Sequence, residues 1–124
     1  MENAFVYGTL RRGVHNHRLL QDSKFLGEAL TVERFVLRAR PGGIPFVGND
    51  LALSQVHGEL YQISLATLRR LDLLEGHRPD APQHSWYIRE LVDVTCQHQR
   101  IRAWMYFNSD VSEPIVPSGN YKTL

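Results

Sequence analysis

Apolar residues recur at alternate positions over two long stretches, Trp86 to Cys96 and Ile101 to Phe107. In the second, Ile101, Ala103, Met105 and Phe107 face one way and Arg102, Trp104 and Tyr106 the other, which is strand periodicity. Asn3 to Tyr7, Phe25 to Glu33, Phe35 to Arg38 and Val56 to Ile63 read as further strands. In the last of these, Val56, Gly58, Leu60 and Gln62 share one side, and His57, Glu59, Tyr61 and Ile63 the other. One clear helix interrupts the series, from Leu65 to Leu74. Its leucines at 65, 68, 71 and 74, with Leu73, form a stripe; Ser64 is placed as N-cap and Gly76 as the left-handed residue past the end. A shorter helix is expected over His15 to Leu20. The stretch from Pro41 to Asp50 is dense in turn residues and reads as loop, and the tail from Ser109, with Pro114, Pro117 and Gly119, as a surface wrap that does not pair. Strands without βαβ alternation predict an α+β fold, a small curled sheet or barrel with helices outside.

At 124 residues, 43% hydrophobic, the chain fits one domain, 1–124, with a core that needs no staples. A formal net charge of +1 gives no whole-protein reason to expect nucleic acid or an anionic membrane as partner. No basic region precedes the first apolar residues, and no apolar run is long enough for a membrane span, so a cytoplasmic protein is expected. Cys96 is the single cysteine; it excludes an internal disulfide and is expected to pack in the core. The six histidines show no metal-ligand spacing, so neither a metal nor a cofactor is expected.

Two features carry chemistry. Tyr7, Gly8, Thr9 and Leu10 begin a Gly-bounded loop, Gly8 to Gly13, directly after a strand. Such a loop turns main-chain N–H groups toward an anion or oxyanion, although a plain strand-to-helix turn has the same local pattern. The spacing Gly8-x4-Gly13 is followed by Val14 and His15 where a phosphate-binding loop needs Lys and Ser/Thr, which excludes nucleotide hydrolysis. Glu75 closes the helix stripe, where dry surroundings and the negative end of the helix dipole both raise a carboxyl pKa. That suits proton transfer; a surface carboxylate at a frayed helix end is the bland alternative. Asp72 and the doublets Arg11-Arg12 and Arg69-Arg70 read as solvated, and Trp86, Tyr87, Trp104 and Tyr106 as strand packing.

In order along the chain stand Phe5-Val6-Tyr7-Gly8-Thr9-Leu10-Arg11-Arg12-Gly13, Asn16-His17, Phe25-Leu26-Gly27, Gly58-Glu59-Leu60-Tyr61, Leu71-Asp72-x-x-Glu75-Gly76 and Tyr87-x-Arg89. This series resembles the gamma-glutamylcyclotransferase-like family, and most closely its gamma-glutamylamine cyclotransferase branch, over residues 3 to 107. The resemblance implies a small β-barrel flanked by helices, with Tyr7, Gly8, Thr9 and Leu10 lining the substrate cavity and Glu75 as catalytic acid/base. It implies a small gamma-glutamyl amide as substrate, intramolecular cyclisation to 5-oxoproline with release of an amine, and no metal or cofactor. Attack by the substrate's own α-amine gives a high effective concentration, so no enzyme nucleophile is needed. The alternative is a non-catalytic binding or sensor protein of the same fold. Tyr87 follows Glu75 by twelve positions, longer than the family pattern. The extra 77–85 segment reads as a lid over the leaving-group side or as a surface insertion, and the sequence does not specify an oligomeric state.

Overall fold

The computed structural model describes residues 1–14, 16–78, 80 and 86–124. Strands β1 (Glu2–Val6), β2 (Lys24–Arg38), β3 (Phe46–Gly48) and β4 (Ser54–Ile63) come first. Helix α1 (Leu65–Glu75) and strands β5 (Ile88–Cys96) and β6 (Gln99–Phe107) follow. The neighbours run β2–β4–β1–β6–β5 and back to β2, which closes a five-stranded barrel, with β3 appended to the end of β2. All pairs are antiparallel except β1 with β6, where Ala4 meets Trp104 in parallel.

β2 is the strand that allows closure. It runs unbroken through the two segments read separately from sequence, with register shifts against β4 between Phe25 and Gly27 and between Leu30 and Arg34. Bulges bend a strand and raise its twist, so β2 can pair with β4, reach β5 through Ala29–Thr31, and end against β3. The β5–β6 hairpin turns at Gln97 and His98, whose φ angles of 50° and 65° are those of a two-residue type I′ turn.

Period-two alternation sorts the side chains into two layers. Phe5, Leu37, Val56, Leu60, Val94 and Met105, one or more from each barrel strand, fill the interior. Ala4, Val6, Tyr61, Ile63 and Tyr106 face outward, where Leu68 and Leu71 of α1 cover them. Cys96 belongs to the interior cluster, as expected. The hydroxyl of Ser64 accepts the Thr67 N–H at 3.1 Å to start α1. Gly76, at φ 67°, ends it with paired bonds from Gly76 N to Leu73 O and His77 N to Asp72 O, a Schellman arrangement.

Several sequence expectations need correction. The buried face of α1 is Thr67, Leu68, Leu71 and Asp72, while Leu65, Leu73 and Leu74 are exposed, because the barrel covers a stripe that differs from the leucine pattern. The 41–50 stretch is not all loop: Phe46–Gly48 pairs with β2 at the barrel edge. Trp86 and Tyr87 precede β5 and tie back to the helix end instead. The tail does pair: Arg38 bridges Ile115, Val116 is buried, and Ala39 and Leu37 exchange main-chain bonds with Pro114 and Val116. The short helix is a 3₁₀ turn, His17–Leu20, and His15 lies outside the described residues. Among the described residues no helix is long and apolar enough to cross a membrane.

This packing distinguishes the leucines of α1. Leu71→Ala is expected to lower unfolding free energy by about 2–5 kcal/mol in urea titrations, whereas Leu73→Ala, at an 83% exposed position, should change it by about 0.5 kcal/mol or less.

Candidate active site

The face of α1 that buries Leu68 and Leu71 continues, four residues on from each, into Asp72 and Glu75. Glu75 thereby enters a cavity, partly open to solvent, whose opposite wall is Tyr7, Gly8, Thr9 and Leu10. Pro45, Tyr87 and Tyr106 complete its inner surface. The structure thus brings Glu75 and the four loop residues singled out from sequence into one cavity.

Each wall is pinned. At Gly8 an added Cβ would lie 2.3 Å from Pro45 Cγ, so only glycine lets these two segments meet. The Tyr87 hydroxyl donates to Pro45 O at 2.6 Å and the Tyr7 hydroxyl to Tyr106 O at 2.7 Å. The Tyr106 hydroxyl donates to Asp72 Oδ1 at 2.6 Å, and Arg89 holds the same carboxylate through Nε at 2.8 Å and Nη2 at 3.3 Å. Asp72 is therefore not solvated, as its sequence context had indicated; it is buried and locks α1 to β5 and β6. The N–H groups of Trp86 and Tyr87 donate to Gly76 O and Glu75 O, which clasps together the two ends of the extended segment. Residues 79 and 81–85 of that segment lie outside the described residues.

The loop itself hangs on Glu59. This carboxylate is fully buried; its Oε1 accepts the Arg12 N–H at 2.8 Å and the Tyr61 hydroxyl at 3.1 Å. Its Oε2 faces Lys122 at 3.5 Å, Arg12 at 3.8 Å and Arg11 at 4.0 Å. Arg11, expected on the surface, is buried because Glu59, Glu28 and Asn120 surround its guanidinium. With the far end fixed in this way, the 7–10 segment turns through a bond from Arg11 N to Gly8 O, and Asn16 braces Thr9 at both O and Oγ1. Among the described residues, the N–H groups of Gly8, Thr9 and Leu10 donate to no protein acceptor. Residues that line the cavity thus carry three main-chain donors with no protein acceptor, the kind of group that an anion or oxyanion requires.

Burial pushes the Glu75 carboxyl up from its ordinary 4.5 to about 7. Burial also drives Tyr7, Tyr87 and Tyr106 well above the usual phenol range, and the nearby Glu75 charge adds to each. Among the cavity-lining residues, Glu75 is thus the group that exchanges its proton near neutral pH. Among the described residues, no three His, Cys, Asp or Glu side chains converge as ligands for a metal ion.

The model of the family described as gamma-glutamyl cyclotransferase, AIG2-like, matches residues 4–123. The chain belongs to this family. A protein of Methanocaldococcus jannaschii named "Putative gamma-glutamylcyclotransferase" is 39% identical over 98% of this chain and 97% of its own length. The gamma-glutamylaminecyclotransferase of Rattus norvegicus is 39% identical over 61% of this chain and 56% of its own. The crystal structure of an AIG2-like protein of Mus musculus superposes with a TM-score of 0.75 at 29% identity, covering 95% of this chain and 87% of that one. These findings agree with the α+β barrel described above.

Sequence reasoning about the cyclotransferase-family site missed Pro45, Tyr106, Asp72 and Glu59 as supports. A signal existed for Glu59: it shares a strand face with Tyr61 and Ile63, so a charge on that face must be buried and paired. No comparable pattern marked Pro45, whose place depends on a contact with Gly8 far away in sequence.

Two expectations follow. A carboxyl-detected NMR titration should give Glu75 a midpoint of about 7, against 4.5 in the unfolded chain. Because the folded value is the higher, the stability linked to this group is full below 4.5 and is lost as pH rises through about 7; Glu75→Gln should flatten that part of the stability profile. Separately, Glu59→Ala removes the acceptor of the Arg12 N–H and the Tyr61 hydroxyl and the fully buried charge that faces Arg11, and should cost about 3–5 kcal/mol in denaturant unfolding.

Proposed function

We propose that the protein is a gamma-glutamyl cyclotransferase that converts a gamma-glutamylamine, or a related small gamma-glutamyl amide, to 5-oxoproline and a free amine. The observation that carries this reading is the convergence of one partly buried carboxyl near neutrality, Glu75, with the undonated N–H groups of Gly8, Thr9 and Leu10 on one cavity. Membership of the family supports it.

The chemistry needs little machinery. The substrate's α-nitrogen attacks the γ-carbonyl carbon, a five-membered ring closes, and the former amide C–N bond breaks. Ionised Glu75 takes the proton from the α-ammonium, which frees the attacking lone pair. The protonated Glu75 then gives that proton to the departing nitrogen, and the restored carboxylate passes the ring nitrogen's second proton to the freed amine, which leaves as an ammonium. A pKa near 7 places both transfers within reach at neutral pH. The N–H groups of the loop hold the oxygen on which negative charge grows, or the substrate's α-carboxylate. The cavity keeps the chain folded with its amine over the carbonyl. The bound tyrosine hydroxyls are already donated to Tyr106 O, Pro45 O and Asp72, so they shape the wall and leave the proton transfers to Glu75.

The test is release of 5-oxoproline from gamma-glutamyl-ε-lysine, gamma-glutamyl-alanine and glutathione. Turnover of at least one is expected, with kcat lowered by about 10²–10⁴ in Glu75→Gln and the fold retained. In the wild type, kcat/KM should climb as pH passes through about 7, because the ionised carboxylate begins the reaction. No product from any gamma-glutamyl compound, or full activity in Glu75→Gln, would contradict the reading. The first result would favour a binding protein of the same fold.

A further inference from the structure

A second recess continues outward from the cavity and shares Thr9, Ile44, Glu75 and Tyr87 with it. Its additional walls are Asn16, Leu74 and Trp86. Ile44, Leu74 and Trp86 are large apolar side chains left 50%, 38% and 52% exposed around this one opening. Trp86 is fixed there by edge contacts with Phe46, at 6.2 Å between ring centroids, and Tyr87, at 5.3 Å. The polar members are committed: Asn16 Nδ2 donates to Thr9 Oγ1 at 3.0 Å. Apart from Glu75, none of the described residues lining the recess is charged.

Position decides what enters. If the glutamyl group occupies the inner cavity, Glu75 must reach the departing nitrogen, so the amine's substituent projects past Glu75 into this recess. A carboxylate there would lie beside ionised Glu75 with no cation among the described lining residues to pair it. An ammonium would pair with Glu75 and hold it ionised, which opposes its return of the proton. An uncharged hydrocarbon body instead covers Ile44, Leu74 and Trp86 and removes their apolar surface from water.

We propose that this recess is the leaving-amine subsite and that it selects amines bearing an uncharged, apolar substituent over amino acids and diamines. The proposal rests on the cyclotransferase reading above and narrows its substrate class.

The experiment compares matched gamma-glutamyl amides. The phenethylamide is set against gamma-glutamyl-phenylalanine, which adds a carboxylate to the same body. The hexylamide is set against the 5-aminopentylamide, which ends in an ammonium in place of a methyl group. 5-Oxoproline release by the wild type gives kcat/KM, and calorimetry with the Glu75→Gln protein, in which turnover is slowed, gives affinity. The uncharged member of each pair is expected to be favoured about tenfold or more in kcat/KM, and by a smaller margin in affinity for Glu75→Gln, where the charged end must still lose water but the Glu75 charge is gone. Trp86→Ala, and independently Ile44→Ser, should shrink the preference for the phenethylamide over the methylamide. Turnover with the charged members equal or better would overturn the subsite while leaving the cyclotransferase reading intact. No 5-oxoproline from any amide would overturn that reading, and the affinity order would then decide the subsite alone. Unchanged preference in both folded variants would remove Trp86 and Ile44 as its walls and sink the proposal.

Discussion

Helix α1 lies on the outer face of the barrel through Leu68 and Leu71, and the same helical face ends in two carboxylates. Burying the leucines carries Asp72 and Glu75 out of water along with them. The two acids meet different surroundings. Asp72 lands on Arg89 and the Tyr106 hydroxyl and is spent as a structural tie. Burial without a comparable cation beside it raises the pKa of Glu75 toward neutrality. One docking contact therefore fixes the helix and creates a titratable group at the cavity.

The opposite wall has its own anchor. A loop rich in unpaired N–H groups keeps them unpaired only if something else fixes its backbone. The buried Glu59, gripping Arg12 N–H and drawing in Arg11, Arg12 and Lys122, supplies that constraint from β4 and the tail. Its cost is a carboxylate and a guanidinium, Glu59 and Arg11, removed from water, which is tolerable because opposite charges and hydrogen bonds gather around them. The isolated bridge at Ile115 and the bond from Lys122 Nζ to Arg12 O show why the tail cannot be a loose wrap: it closes one side of that cluster.

Most strands could be read from the sequence because barrel walls have two faces, and alternation in β1, β4 and β6 reports both. The Ser64 and Gly76 caps were equally legible, being local chemistry. What escaped was set by long-range contacts. β3 is three residues long in a turn-rich stretch and exists only because the end of β2 offers it a partner. Asp72 and Arg11 look like ordinary surface charges until Arg89, Tyr106 and Glu59 are brought beside them. The cavity's lining at Tyr7–Leu10 and Glu75 was reached through ordered motifs; locally, each piece had an ordinary structural explanation. Pro45 and the outer recess carried no sequence signal, since both arise where separate loops meet.

The central claim is that Glu75 and the N–H groups of Gly8, Thr9 and Leu10 serve one gamma-glutamyl group. A crystal structure of the Glu75→Gln protein with gamma-glutamyl-methylamide tests it directly. The account predicts the α-nitrogen within hydrogen-bond reach of residue 75 and a substrate oxygen on the 8–10 N–H groups. A gamma-glutamyl group seated elsewhere, for instance in the recess beside Asp50 and Glu90, would contradict it.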